Sequence, residues 1–224
     1  MNAAMVRRLV LKDWYFSRWM ITCYVTGGLI SMLIAGAALE SAFFVGAILL
    51  ITTLIALGVH MVMALVINER QENTLPFVMS LPISAIEYTT AKIAAVMGTF
   101  VLPWLAITVG CCIVVAMRDH MPNGAIPYFV LVLGYLLVSF TGLLTVALVT
   151  ESIGWTIACM AASNVAVNFV IAGLARIPQL AATLKGDTAV WSPLAIGILS
   201  SEVVVVAVLL GITFHFQARK KDFI

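Results

Sequence analysis

Side chains able to do chemistry are thinly spread through this 224-residue chain, and most of them stand alone. The histidines are His60, His120 and His215, and the cysteines are Cys23, Cys111, Cys112 and Cys159. A zinc or redox site would need such residues in short paired spacings, C-x-x-C above all, and none occurs. Hydrolysis would announce itself as G-x-S-x-G or H-E-x-x-H, and both are absent from the sequence. Nor is there a G-x-x-x-x-G-K-[ST] loop whose backbone amides could wrap phosphates. No catalytic residue, metal ligand or cofactor is therefore assigned to the chain. The cysteines read as small apolar packing residues and His60 as a packed or interface-directed side chain.

Two other groups of polar residues stand out because their surroundings are apolar. Glu202 lies in "ILSSEVVVV", and Asn164 and Asn168 lie four apart in "ASNVAVNFV", so that one helix face carries both amides. Burial of such groups in lipid costs free energy and marks them as candidates for function. Ser200 and Ser201 could cap a helix that starts at Glu202, making it a first-turn carboxylate favoured by the helix dipole. The alternative is a residue lining a translocation path. For Asn164 and Asn168 the choices are interhelical hydrogen bonding or a polar strip along the same path.

The densest run of charge and turn residues is "INERQENTLPFVMSLP", residues 67–82. Around it, 63% of the chain is hydrophobic, 10% is charged, and the mean hydropathy is +1.13. Soluble domains carry roughly 25% charged residues, so this surface is built for lipid. The net charge of +2 offers nothing to nucleic acid. A bilayer core takes about 20 apolar residues as a helix, and backbone groups in lipid must bond internally. The continuous apolar runs predict an all-α integral membrane protein, one polytopic unit over 1–224, with spans near 19–39, 41–67, 85–117, 127–149, 153–174 and 196–217. Pro103 should kink the third, and Ser139, Thr141 and Gly142 allow close helix approach in the fourth.

Six spans put both termini on one side of the membrane. Arg7, Arg8, Lys12, Arg18, Arg70, Lys92, Arg219, Lys220 and Lys221 share that side, and Arg118, Arg176 and Lys185 lie opposite. The excess of basic residues predicts that both termini are cytoplasmic, in a cell inner (plasma) membrane. The opening "MVRRLVLKDWYFSRW" mixes basic and aromatic residues, which predicts an amphipathic interfacial helix over 1–18 instead of a cleaved leader. On the opposite side, 175–195 forms a long, half-apolar loop that could dip into the membrane.

Between spans two and three, 68–84 predicts a cytoplasmic elbow. Asn73 and Thr74 favour a turn, Pro76 suits the first turn of a short helix, and Ser84 with Glu87 caps the third span. Phe77, Val78, Met79 and Leu81 give the short helix an apolar face. That face could lie on the membrane or fill a groove on a soluble partner.

The stretch "ERQENTLPFVMSLPISAIEYTTAK" resembles the signature of ABC-2 type transporter permeases. The matching residues are Glu69, Arg70, Asn73, Thr74, Leu75, Leu81, Pro82, Ser84 and Lys92, and the opening "LKDW" and the tail "QARKKDFI" are also similar to family members. Asn73 stands where glycine is usual, and Pro76 where an acid is common. The resemblance implies the permease subunit of an ABC exporter, paired with a second permease copy as a homodimer or heterodimer. It further implies two soluble ATPase subunits that bind the ATP and Mg this chain cannot hold. The 68–84 segment would then be the coupling helix, with Glu69, Arg70, Glu72, Asn73, Thr74, Leu75 and Phe77 facing the ATPase. Other classes that fit the composition are a non-transporting membrane scaffold or immunity protein, and an intramembrane enzyme.

Overall fold

The computed structural model of the chain describes residues 3–37, 39–71, 85–118, 121–184 and 186–219. Its long elements are all helical: α1 (Ala3–Ala35), α2 (Glu40–Val62), α4 (Ala85–Met117), α5 (Ile126–Thr150), α6 (Ile153–Arg176) and α8 (Pro193–Arg219). Two short helices join them, α3 (Asn68–Gln71) and α7 (Pro178–Thr183). Six of these segments are long and apolar enough to cross a membrane, as the continuous apolar runs predict. An even number of crossings leaves both termini at one end of the bundle, here called the terminal end; the opposite one is the far end.

Three features differ from expectation. The segment 1–18 does not form a helix of its own, because α1 runs unbroken from Ala3 to Ala35. Nothing in that stretch can stop a helix: it holds no proline, and its only glycines, Gly27 and Gly28, lie deep in the apolar half. At 1.5 Å per residue the rod is about 50 Å long, well beyond a hydrocarbon core of about 30 Å, so its basic end projects past the lipid. Second, α8 starts at Pro193, with the Ser192 hydroxyl accepting the Ala195 amide at 3.2 Å. Glu202 therefore lies three turns into the helix, and the first-turn reading of it is wrong. The Ser200 and Ser201 hydroxyls do not cap anything; they donate back to the Ile196 and Ile198 carbonyls.

Third, α2 does not pass straight into α3. Met63–Ile67 forms a π-helical turn, with Leu65, Val66 and Ile67 buried. A π turn takes in an extra residue, so everything after it is rotated by about 100° relative to a continuous α-helix.

The centre of the bundle is α5, with 56% of its apolar window buried against 11% in α6 and 6% in α8. Its partners are α2, α4, α6 and α8. Phe140 stacks on Phe100 of α4 with centroids 3.9 Å apart, and the Trp104 indole donates to the Leu133 carbonyl at 2.8 Å. Helix α4 continues through Pro103. Helix α1 packs on α2 and α4; Gly46 on α2 lies so close to the Ala35 backbone that any side chain there would overlap it.

Helices α5 and α8 run parallel in constant register. Thr213 Oγ1 donates to Thr145 Oγ1 at 3.0 Å, 68 residues apart, and the Gln217 amide donates to the Leu148 carbonyl, 69 apart. The 175–195 segment holds α7, whose Leu180 is buried with Leu131, Leu174 and Ala195 at the far end. Beside it the Gly124 amide donates to the Gly186 carbonyl at 2.8 Å.

Candidate functional site

The charged residues of α1, α3 and α4 close into a ring at the terminal end. Lys92 Nζ contacts Asp13 Oδ2 and Glu69 Oε2, each at 2.8 Å. Lys12 Nζ closes the other side, 3.1 Å from Glu69 Oε1 and 3.2 Å from Asp13 Oδ1. The Tyr88 hydroxyl donates to Glu69 Oε2 at 3.0 Å. Two cations alternate with two anions, and every pair joins different helices except Lys12 with Asp13. Asp13 and Lys92 are 3% and 4% exposed, so the ring is buried on that side, while Lys12 is exposed and Glu69 partly so.

Each member owes its place to local structure. Asp13 and Lys12 are neighbours on α1, so one faces the bundle and the other its rim. Tyr88 and Lys92 are four apart on α4, one turn above the other. Glu69 reaches the ring because the π turn sets the phase of α3 just before it; in a straight helix it would be rotated away by about 100°. Burial pushes the Glu69 carboxyl up, but the adjacent Lys92 and Lys12 charges outweigh it and hold the group below its usual range. Buried ions of this kind add little net stability over apolar residues of the same volume, yet loss of one partner strands the others at a cost of about 3–5 kcal/mol. What the ring supplies is position: the root of the 68–84 segment is tied to the rods that precede and follow it.

Of the expected coupling residues, Glu69 is thus turned inward to α1 and α4. Arg70 sits on α3, one residue further round. Glu72, Asn73, Thr74, Leu75 and Phe77 lie outside the described residues. Lys12, Asp13 and Tyr88 were not among the candidate site residues, and Lys92 was singled out only as part of the family signature. Their signal was an acid at 13 and a lysine at 92 facing apolar neighbours in helices that enter lipid.

The remaining candidates are dispersed. Asn168 donates to the Asn164 backbone carbonyl at 3.1 Å, within α6, and both residues are exposed on that helix. Asn164 and Ser163 flank a cavity of about 30 Å³ shared with Ser139 and Gly58. Glu202 faces α5 where Gly134 leaves space: a methyl group at 134 would overlap Oε2. That oxygen is buried with no hydrogen-bond partner among the described residues. His60 Nδ1 lies 3.1 Å from the Tyr24 hydroxyl, a packed contact between α1 and α2. The cysteines are free thiols. No family model, curated protein or solved structure matches the chain.

Proposed function

We propose that the chain is the permease subunit of an ATP-driven ABC-2 type exporter, energised by two separate ATPase subunits and paired with a second permease copy. The reading rests on the resemblance of 69–92 to the family signature. The observation that favours it is the ion ring, which fastens the root of this segment to α1 and α4. A loop that only lay on the membrane would have no need of rigid attachment to two rods, whereas a loop that receives force does.

On this reading the labour is divided within the segment. Glu69 anchors the elbow from within, and Arg70, Glu72, Asn73, Thr74, Leu75 and Phe77 form the face offered to the ATPase in the cytosol. ATP binding draws the two ATPases together. Displacement of the elbow then moves α1, α2 and α4 as one body, because the ring resists their separation. The work comes from the partner's differential affinity for the two arrangements. Asn164, Asn168 and Glu202 are polar groups on α6 and α8, helices the ring does not hold, and they would border the route opened by that motion.

Co-expression with the candidate ATPase and paired affinity capture test the reading. Substitution of Phe77 or Glu72 should abolish capture, whereas Lys92→Met should preserve capture and lower the dependence of ATP turnover on the permease. Failure of any ATPase to associate with the intact chain would remove the reading's support.

A further inference from the structure

At the far end the bundle encloses a cavity of about 810 Å³. Its floor is Met32, Leu50 and Leu133, and its walls mix small, branched aliphatic and aromatic side chains, with Ala47 on α2, Val115 on α4 and Phe129 on α5 among them. The lining is almost wholly apolar. Its one hydroxyl, that of Tyr128, already donates to the Ile171 carbonyl at 3.0 Å. A polar or charged ligand would therefore be desolvated without compensation inside, and water would find too few partners to fill the space. An apolar chain fits on both counts, and the volume lies within the usual range for ligand sites, about 300–1,000 Å³.

The rim says which apolar chain. Leu39, Phe44 and Ile48 stand there, 57–66% exposed, so the mouth opens onto the surface that faces lipid. Arg118 lies outside the lining itself but close to its Val114 side. Its Nε comes 3.7 Å from the position a Cβ would take on Gly36, beside the Val114 and Val115 wall. Arg118 follows the last residue of α4, which places its guanidinium at headgroup depth, above the apolar space. An apolar slot below and an arginine at the membrane surface match a diacyl phospholipid, with a hydrocarbon tail inside and the phosphate on the guanidinium.

We propose that this cavity is a phospholipid site, holding one acyl chain between α1, α2, α4 and α5 with the phosphate at Arg118. The inference needs only that the helices lie in a bilayer and is independent of the transporter reading. The tail would act as part of the core, filling the space between α5 and the helices that face it.

Native mass spectrometry of the chain released from nanodiscs of dioleoylphosphatidylglycerol tests it. About one phosphatidylglycerol per chain should survive release as a discrete adduct, as expected for a site that encloses its ligand. Ala47→Phe in the wall and Ala37→Phe at the mouth should each lower retention at least about fivefold, with folding read from the melting transition of each variant. Arg118→Gln, at an exposed position, should weaken retention of phosphatidylglycerol but not of uncharged dioleoylglycerol. Absence of the adduct on wild type, unchanged retention in a folded cavity-filling variant, or no effect of Arg118→Gln would each overturn the proposal.

Discussion

The same three rods, α1, α2 and α4, meet in opposite ways at their two ends. At the terminal end, four charges and a tyrosine hydroxyl fasten α1, α4 and the extension of α2 within hydrogen-bonding distance. At the far end their contact is apolar, with Gly46 of α2 against the Ala35 backbone of α1 and Gly36 against Val114 of α4, and a space of about 810 Å³ opens between these helices and α5. Directional ionic contacts fix relative position and tolerate little displacement, because a buried charge that leaves its partner is stranded. Apolar contact is non-directional, so a lipid-filled gap lets helices tilt at small cost. The molecule is thus held by ionic contacts at the terminal end and by apolar contacts at the far end.

The largest effect should come from breaking the stiff end. Lys92→Met leaves Asp13 buried without its main partner and should cost about 3–5 kcal/mol, read as a fall in melting temperature of the detergent-solubilised chain. Asp13→Asn combined with Lys92→Met should cost less than the sum of the single changes, since both touch one network. If the single variants melt like wild type, the ring does not hold the helices.

Inserting one alanine between Ile67 and Asn68 adds about 100° after the π turn and should swing Glu69 out of the ring. Its stability loss should approach that of Glu69→Gln, and the two combined should lose little more than either alone. Additive losses would mean that the turn does not aim Glu69.

Contact of α5 with α8 supplies a control remote from the ring. Gly134→Ala forces the Glu202 carboxylate away from α5 and should cost about 1–3 kcal/mol by overpacking. Glu202→Ala should relieve most of that cost, and a failure to do so in the double variant would refute the contact.

A smaller effect concerns pH. Glu69 titrates below its ordinary range in the folded chain, so the stability it contributes is fully present above the unfolded carboxylate pKa. That contribution fades as pH falls through the lower, folded value. The melting difference between wild type and Glu69→Gln should therefore stay constant from neutral pH down to the ordinary carboxylate pKa and shrink as pH falls from there through the lower, folded value. A difference that already shrinks near neutral pH would contradict the ring geometry.

Much of this architecture can be read from the sequence, and the parts that cannot have a common cause. Apolar runs set five of the six spans to within a few residues, because lipid forces backbone groups to pair inside each helix, while the first helix begins at Ala3, well before its expected span. The ring escapes such reading since its partners lie 57 and 79 residues apart, and no local pattern links Asp13 to Lys92. Lys12 and Asp13 look like part of an interfacial helix whether or not a third helix answers them. The π turn leaves no trace either, because "MALVI" is apolar on every face and a change of phase moves no polar residue. Glu202 misleads for a different reason: Ser200 and Ser201 imitate a helix cap, while the working cap, Ser192 before Pro193, sits nine residues earlier.

The account turns on the 68–84 segment being a cytosolic elbow that engages an ATPase. The direct test replaces the four native cysteines with serine, introduces Glu72→Cys, and labels with a membrane-impermeant maleimide. Labelling is expected in inside-out vesicles, absent in intact cells, and blocked when the ATPase is co-expressed. Modification from outside intact cells, or labelling indifferent to the ATPase, would contradict it.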